Sequence, residues 1–131
     1  MLANFAGSEI ESPAAGFDAL QVSPVDLKHL RRYTMGDVDL EIEVLGLFLG
    51  QLPQTIGALS RAETERDWRV AAHTLKGSGR AVGAWRVARL AEHAERNMNV
   101  LNRAGCTDVV ARIEEAVEEA RAYIESVYRT R

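Results

Sequence analysis

The chain has 131 residues, enough for one domain with a real core and too few for a catalytic domain joined to a regulatory one. Its net charge of −3 speaks against a general nucleic-acid binder, which carries surplus Lys and Arg, and 47% hydrophobic with 27% charged residues is the balance of a soluble globular protein. Cys106 is the single cysteine and cannot pair within the chain, no apolar run approaches the length of a membrane span, and residues 1–16 lack the basic start and apolar stretch of a signal peptide; a cytoplasmic protein is the expectation.

Ala, Leu, Glu and Arg dominate, aromatics are sparse, and no Asn-Gly or Asp-Gly pair marks a hairpin, so the expected class is all-α. Residues 1–22 mix Gly, Ser, Pro and scattered apolar side chains without a period, which predicts a flexible leader. Ser23-Pro24 reads as a helix start, serine as N-cap and proline in the first turn, with the helix running to about Tyr33 and broken by Gly36. Asp37 opens a longer helix carrying Leu40, Val44, Leu45, Phe48, Leu52, Ile56 and Leu59. Pro53 either kinks this helix or divides it in two.

A third helix spans about Glu65 to Val82, with Trp68, Ala71, Ala72, Leu75, Gly79 and Val82 on one stripe and Gly83 as its stop. A fourth, about Ala84 to Asn102, stripes Val87, Leu90, Ala91, Ala94, Met98 and Leu101; Gly105 marks the next turn. A fifth, about Thr107 to Tyr128, stripes Val109, Ile113, Val117, Ala120, Ile124 and Val127 beneath a glutamate-rich outer face. Short connections between amphipathic helices predict an antiparallel four-helix bundle with a short N-terminal covering helix, occupying residues 23–131.

The polar face of the third helix is the unusual part. It holds Arg69, His73, Lys76, Gly77 and Arg80. His73 lies about 100° or more from the centre of the apolar stripe, so its ring reaches solvent. Gly77 follows at i+4 on the same exposed face, although glycine inside a helix costs on the order of 1 kcal/mol relative to alanine. Room for another molecule beside His73 accounts for that cost. Lys76 at i+3, Arg69 at i−4 and Arg80 at i+7 form a basic strip that disfavours protonation of the ring and leaves it nucleophilic. No carboxylate stands beside His73 in the sequence, which suits a nucleophile better than the general base of a triad.

The string His73-Thr74-Leu75-Lys76-Gly77-Ser78 followed by Gly83-Ala84 resembles the signature of histidine-containing phosphotransfer (Hpt) domains of bacterial multistep phosphorelays. The acidic-apolar second helix with Phe48 and Pro53, and a fourth helix reaching Glu95, are similar too, so the resemblance covers about residues 23–125. It implies that His73 is the phosphoacceptor, that Lys76 assists the phosphoryl group, that Gly77 lets a partner approach and that Gly83 turns the chain into the next helix. Arg69, Gly77, Arg80 and Gly83 are then the expected partner-binding positions. Arg80 departs from the small residue that the family pattern suggests there, which bears on partner identity.

The implied partners are receiver domains of response regulators and a sensor or hybrid histidine kinase. Neither nucleic acid nor membrane is implied, and nothing demands more than a monomer. The expected chain carries no cofactor of its own; a Mg²⁺ in the reaction belongs to the receiver.

Other motifs point less sharply. His29 and His93 read as structural or solvated, Cys106 as inert, and no HExxH, CxxC or paired Glu-x-x-His indicates a metal site. The Gly77-Gly79-Gly83 spacing follows no strand and does not match a nucleotide-binding loop. Two alternatives stand beside the carrier: a non-catalytic adaptor using the same face, and the phosphoacceptor domain of a chemotaxis-type kinase.

Overall fold

A computed structural model describes residues 23–129, all of whose regular structure is helical. The expected leader, residues 1–22, lies outside the described residues. The helices are α1 (Leu27–Thr34), α2 (Val38–Arg61), α3 (Glu65–Val82), α4 (Trp85–Asn97) and α5 (Arg103–Tyr128).

Local chemistry sets the boundaries. Asp26, Asp37, Thr64 and Asn102 each accept a hydrogen bond from the backbone N–H three residues on, the side-chain N-cap that satisfies an orphan donor. The helix start expected at Ser23-Pro24 is therefore corrected to Asp26. That aspartate is fixed from outside the helix: its backbone N–H donates to the Gly83 carbonyl at 2.9 Å, and Trp85 Nε1–H donates to its carboxylate at 3.0 Å. Pro53 lies inside one continuous α2 with its ring on the exposed side, so the helix is not divided.

The end of α4 also moves. Instead of reaching Asn102 it stops at Asn97, because Met98 is extended and Asn99 builds a turn, its side chain accepting from the Leu101 N–H and its carbonyl from the Asn102 N–H. Leu101, expected in the core, is 87% exposed, and Val100 is buried in its place. Gly105 is not a turn between helices but part of the first turn of α5, where its N–H bonds to the Asn102 cap. Val127, at the far end of α5, is exposed as well.

The four long helices pack in the order α2, α3, α4, α5 around one core, with α5 closing back onto α2 and α1 lying across α2 and α3. Leu45, Leu52, Leu59, Trp68, Leu75, Val87 and Ile113 fill the centre. The Trp68 indole N–H, which would be costly if left bare, donates to the Ala94 carbonyl at 2.8 Å. The α3–α4 contact is tight at Gly79, where a Cβ would stand 3.1 Å from the Ala84 carbonyl oxygen and the Ala88 nitrogen. Gly79 is thus the small residue that lets α4 lie against α3.

Two features of α2 escape the periodicity. Glu41 is fully buried, paired with Arg31 of α1 through two hydrogen bonds and accepting one from the Tyr128 phenol of α5. The helix is also long and apolar enough, by length and composition, to cross a membrane, so the expectation that no such run exists is amended. Its apolar side faces the bundle, where Leu45, Phe48, Leu52, Ile56 and Leu59 are buried.

Candidate functional site

The α3–α4 pairing determines what surrounds His73. Val87, Ala88, Ala91 and Ala94 turn toward the core, which places Glu92 and Glu95 at the flank of α4 beside α3. There, Glu95 reaches across the interface. Its Oε2 is 3.1 Å from His73 Nδ1 and its Oε1 is 2.7 Å from Lys76 Nζ. The imidazole is 70% exposed, whereas the Lys76 and Glu95 side chains are 12% and 20% exposed. The outer edge of the ring therefore faces solvent while its inner nitrogen is anchored.

This corrects the expectation that no carboxylate stands beside His73. The ammonium of Lys76 holds the Glu95 carboxyl below its ordinary range, and hydrogen bonding to His73 adds to that against the opposing effect of burial. An ionised carboxylate can only accept, so Nδ1 is the donor, and in the neutral ring the lone pair sits on the outward Nε2. Which ring nitrogen carries the lone pair is thus selected by a residue 22 positions away in sequence.

The basic strip is likewise not a row of unpaired cations. Arg69 pairs with Glu65 at 3.3 Å, Lys76 with Glu95, and Arg80 with Glu92 at 3.3 Å, while Glu92 also meets Arg96 at 3.4 Å. These pairs form an alternating seam along α3 and α4. On the other side of His73 the surface changes character. From Val44 to Ser60, α2 contains no Asp, Glu, Lys or Arg, and a mostly apolar groove between α2 and α3 is lined by Gln54, Ala58, Val70 and Thr74 together with the two charged positions Arg61 and Asp67. Val70 is exposed, and nothing lies within 4 Å of a Cβ built on Gly77. His73 stands between a charge-paired seam and a largely uncharged shelf.

Of the site residues expected from sequence, Arg69, His73, Lys76, Gly77 and Arg80 share this face of α3. Gly83 does not. It is buried at φ +82°, where a Cβ would come within 2.8 Å of the Asp26 carbonyl oxygen. Its place is a tight chain reversal under α1, which agrees with the turn but not with an exposed contact.

His29 has a structural setting: its Nε2 is 3.0 Å from the Arg80 carbonyl, with the ring edge-on to Tyr33 and Trp85. His93 is exposed and bonded to Asn97. Cys106 is buried with its thiol pushed up by desolvation. Among the described residues no group of three or more His, Cys, Asp and Glu could hold a metal ion.

Glu95 is the residue whose role the sequence concealed. A usable signal was present: Glu92 and Glu95 stand at i, i+3 beside the apolar stripe of α4, and a short Gly83-Ala84 connection forces that flank against α3.

A family model described as the Hpt domain matches residues 43–123, which take in most of α2, the whole of α3 and α4, and most of α5. Searches of curated proteins and of solved structures found no match. The matched span is well over half of the chain and contains His73, Lys76, Gly77 and Glu95. The chain belongs to the Hpt domain family, whose members carry out histidine phosphotransfer in phosphorelays.

Proposed function

We propose that His73 is the phosphoacceptor, and that the protein relays a phosphoryl group to or from an aspartate of a response-regulator receiver domain, as a cytoplasmic monomer supplied by a sensor or hybrid kinase. The observation that carries this reading is the His73–Glu95–Lys76 arrangement, an exposed Nε2 on a ring anchored from behind. In the forward step, the Nε2 lone pair attacks the phosphorus of an acyl phosphate. The P–O bond to the aspartate breaks, and its electron pair returns to that carboxylate.

Lys76 is the cation nearest the new phosphoryl oxygens, and Gly77 leaves room for the receiver at i+4 from the histidine. The mostly apolar groove between α2 and α3 supplies the apolar part of the docking surface, while Arg69 and Arg80 lie in the charged seam on the opposite flank. Mg²⁺ in this reaction is held by the receiver.

Incubation with phosphorylated receivers tests the reading. The expected product is an acid-labile, base-stable phosphoprotein that His73→Gln does not form. Label that persists in this variant overturns the assignment. Receiver binding by the wild-type chain with no phosphoryl transfer in either direction, and unchanged in His73→Ala, favours an adaptor.

A further inference from the structure

We propose that Arg80 is a specificity-determining residue: at the rim of the surface centred on His73 it takes an exposed aspartate or glutamate side chain of the receiver domain. The inference rests on His73 being the phosphoacceptor and names the chemistry of the partner that reaches it. Arg80 governs which receiver docks and how fast, not the events at the phosphorus.

Position comes first. Arg80 follows His73 by seven residues, which on a helix is about 10 Å along the axis and nearly the same direction around it. Gly77 lies between them, with nothing within 4 Å of a Cβ built there. A protein partner of ordinary size covers about 800 Å² on each side, a patch about 16 Å in radius, so one seated over His73 extends across Arg80. The Arg80 side chain is 53% exposed. Its backbone is fixed, because the Arg80 carbonyl accepts the His29 Nε2–H at 3.0 Å and the Gly83 N–H at 3.3 Å. Thus α1 pins the last turn of α3 while the guanidinium stays at the surface.

Charge decides what Arg80 can hold. Along the seam Glu65 meets Arg69 and Glu95 meets Lys76, whereas Glu92 is shared between Arg80 at 3.3 Å and Arg96 at 3.4 Å. Two guanidinium groups on a single carboxylate leave one positive charge over, in a chain whose net charge is −3. From α1, the Asp26 carboxylate is taken up by the Trp85 indole and the His29 backbone N–H. From α2, the stretch Val44–Ser60 brings no charged residue. Arg80 reaches Glu92 through Nη2, and a guanidinium carries five N–H donors in a planar fork suited to a second carboxylate. When that carboxylate arrives, Glu92 keeps Arg96, and no charge is left unpaired. A receiver presenting Lys or Arg at the same place meets like charge, and one presenting an apolar side chain desolvates Arg80 without a partner.

The test uses the full chain and the receiver domain of the source genome that exchanges phosphate with it fastest. Arg80→Ala and Arg80→Gln are expected to lower kcat/KM for transfer by about fivefold, through KM, and to weaken its dependence on salt. Arg80→Lys, which keeps the charge, retains the wild-type salt dependence. Each exposed Asp and Glu of that receiver is then changed to Ala and measured against both the wild type and Arg80→Ala. One of them should cost about fivefold in the presence of Arg80 and nothing in its absence, and Lys at that receiver position should restore transfer to Arg80→Glu. A loss confined to kcat, an unaltered salt dependence in Arg80→Ala, or no receiver carboxylate coupled to Arg80 overturns the inference and leaves the phosphoacceptor assignment standing. If no receiver exchanges phosphate with the wild-type chain, both fall.

Discussion

The Lys76 ammonium and the Glu95 carboxylate meet at 2.7 Å in a contact mostly hidden from solvent, directly beneath an exposed histidine. The pair links a residue of α3 to one of α4 and gives Lys76 a fixed position where phosphoryl oxygens would form. Removing the cation withdraws a preorganised charge from that place. Lys76→Ala is expected to slow phosphoryl transfer by about a hundredfold, the scale of losing one such donor. Stopped-flow or quenched transfer with a single receiver measures it, and an unchanged rate excludes Lys76 from the reaction.

Gly77 makes an opposite prediction for stability and function. Nothing within 4 Å would meet a Cβ there, and the backbone is helical, so Gly77→Ala is expected to raise the stability of the fold by about 1 kcal/mol. The same methyl stands one turn from His73 on the face a partner would approach. Receiver affinity should therefore fall as thermal stability rises, and a bulkier Gly77→Leu should weaken binding further. Denaturant unfolding and titration with a receiver read the two effects separately; tighter binding by both variants contradicts the role assigned to this glycine.

The contrast among glycines shows what the sequence could and could not reveal. The limits of α3, its core stripe and the stop at Gly83 were legible because a 3.6-residue period, acidic first turn and terminal glycine all agree. The exposed His73 and Gly77 followed from the same wheel. The end of α4 was not legible, because Asn99 and Asn102 redirect the backbone through side-chain bonds that periodicity does not register. Glu95 and Glu41 were hidden for another reason: their partners lie on other helices, so their importance is a property of packing and not of any one segment.

Gly83 tests the α1–α3 junction. Its φ of +82° disfavours any side chain, and a Cβ would press on the Asp26 backbone at 2.8 Å. Gly83→Ala is expected to cost about 2 kcal/mol or more, since left-handed strain and a backbone clash act together. The damage should appear where Asp26 is held: loss of its contacts with Gly83 and Trp85 would loosen α1 and change Trp85 fluorescence. A variant as stable as the wild type, with Trp85 unaltered, would show that the junction adjusts without strain.

Glu41 gives the pH dependence of the fold. Arg31 holds its carboxyl below the usual range, with burial opposing and the Tyr128 hydrogen bond assisting. The folded value is thus depressed below the unfolded value of about 4.3. The resulting stability is fully present above that unfolded value and lost as pH falls through the folded one. Asp26, held down chiefly by the Trp85 N–H, and Glu95, held down chiefly by Lys76, act in the same sense. Acid should therefore destabilise the protein progressively below about pH 5. Glu41→Gln removes one of these contributions, so its stability should be lower at pH 7 yet decline less steeply toward pH 3. Tyr128→Phe removes the phenol but keeps the carboxylate and Arg31, so it should weaken the fold at pH 7 while retaining most of the acid dependence. Urea unfolding from pH 3 to 7 distinguishes the two, and parallel curves for Glu41→Gln and the wild type would show that this buried carboxylate does not set the acid limit.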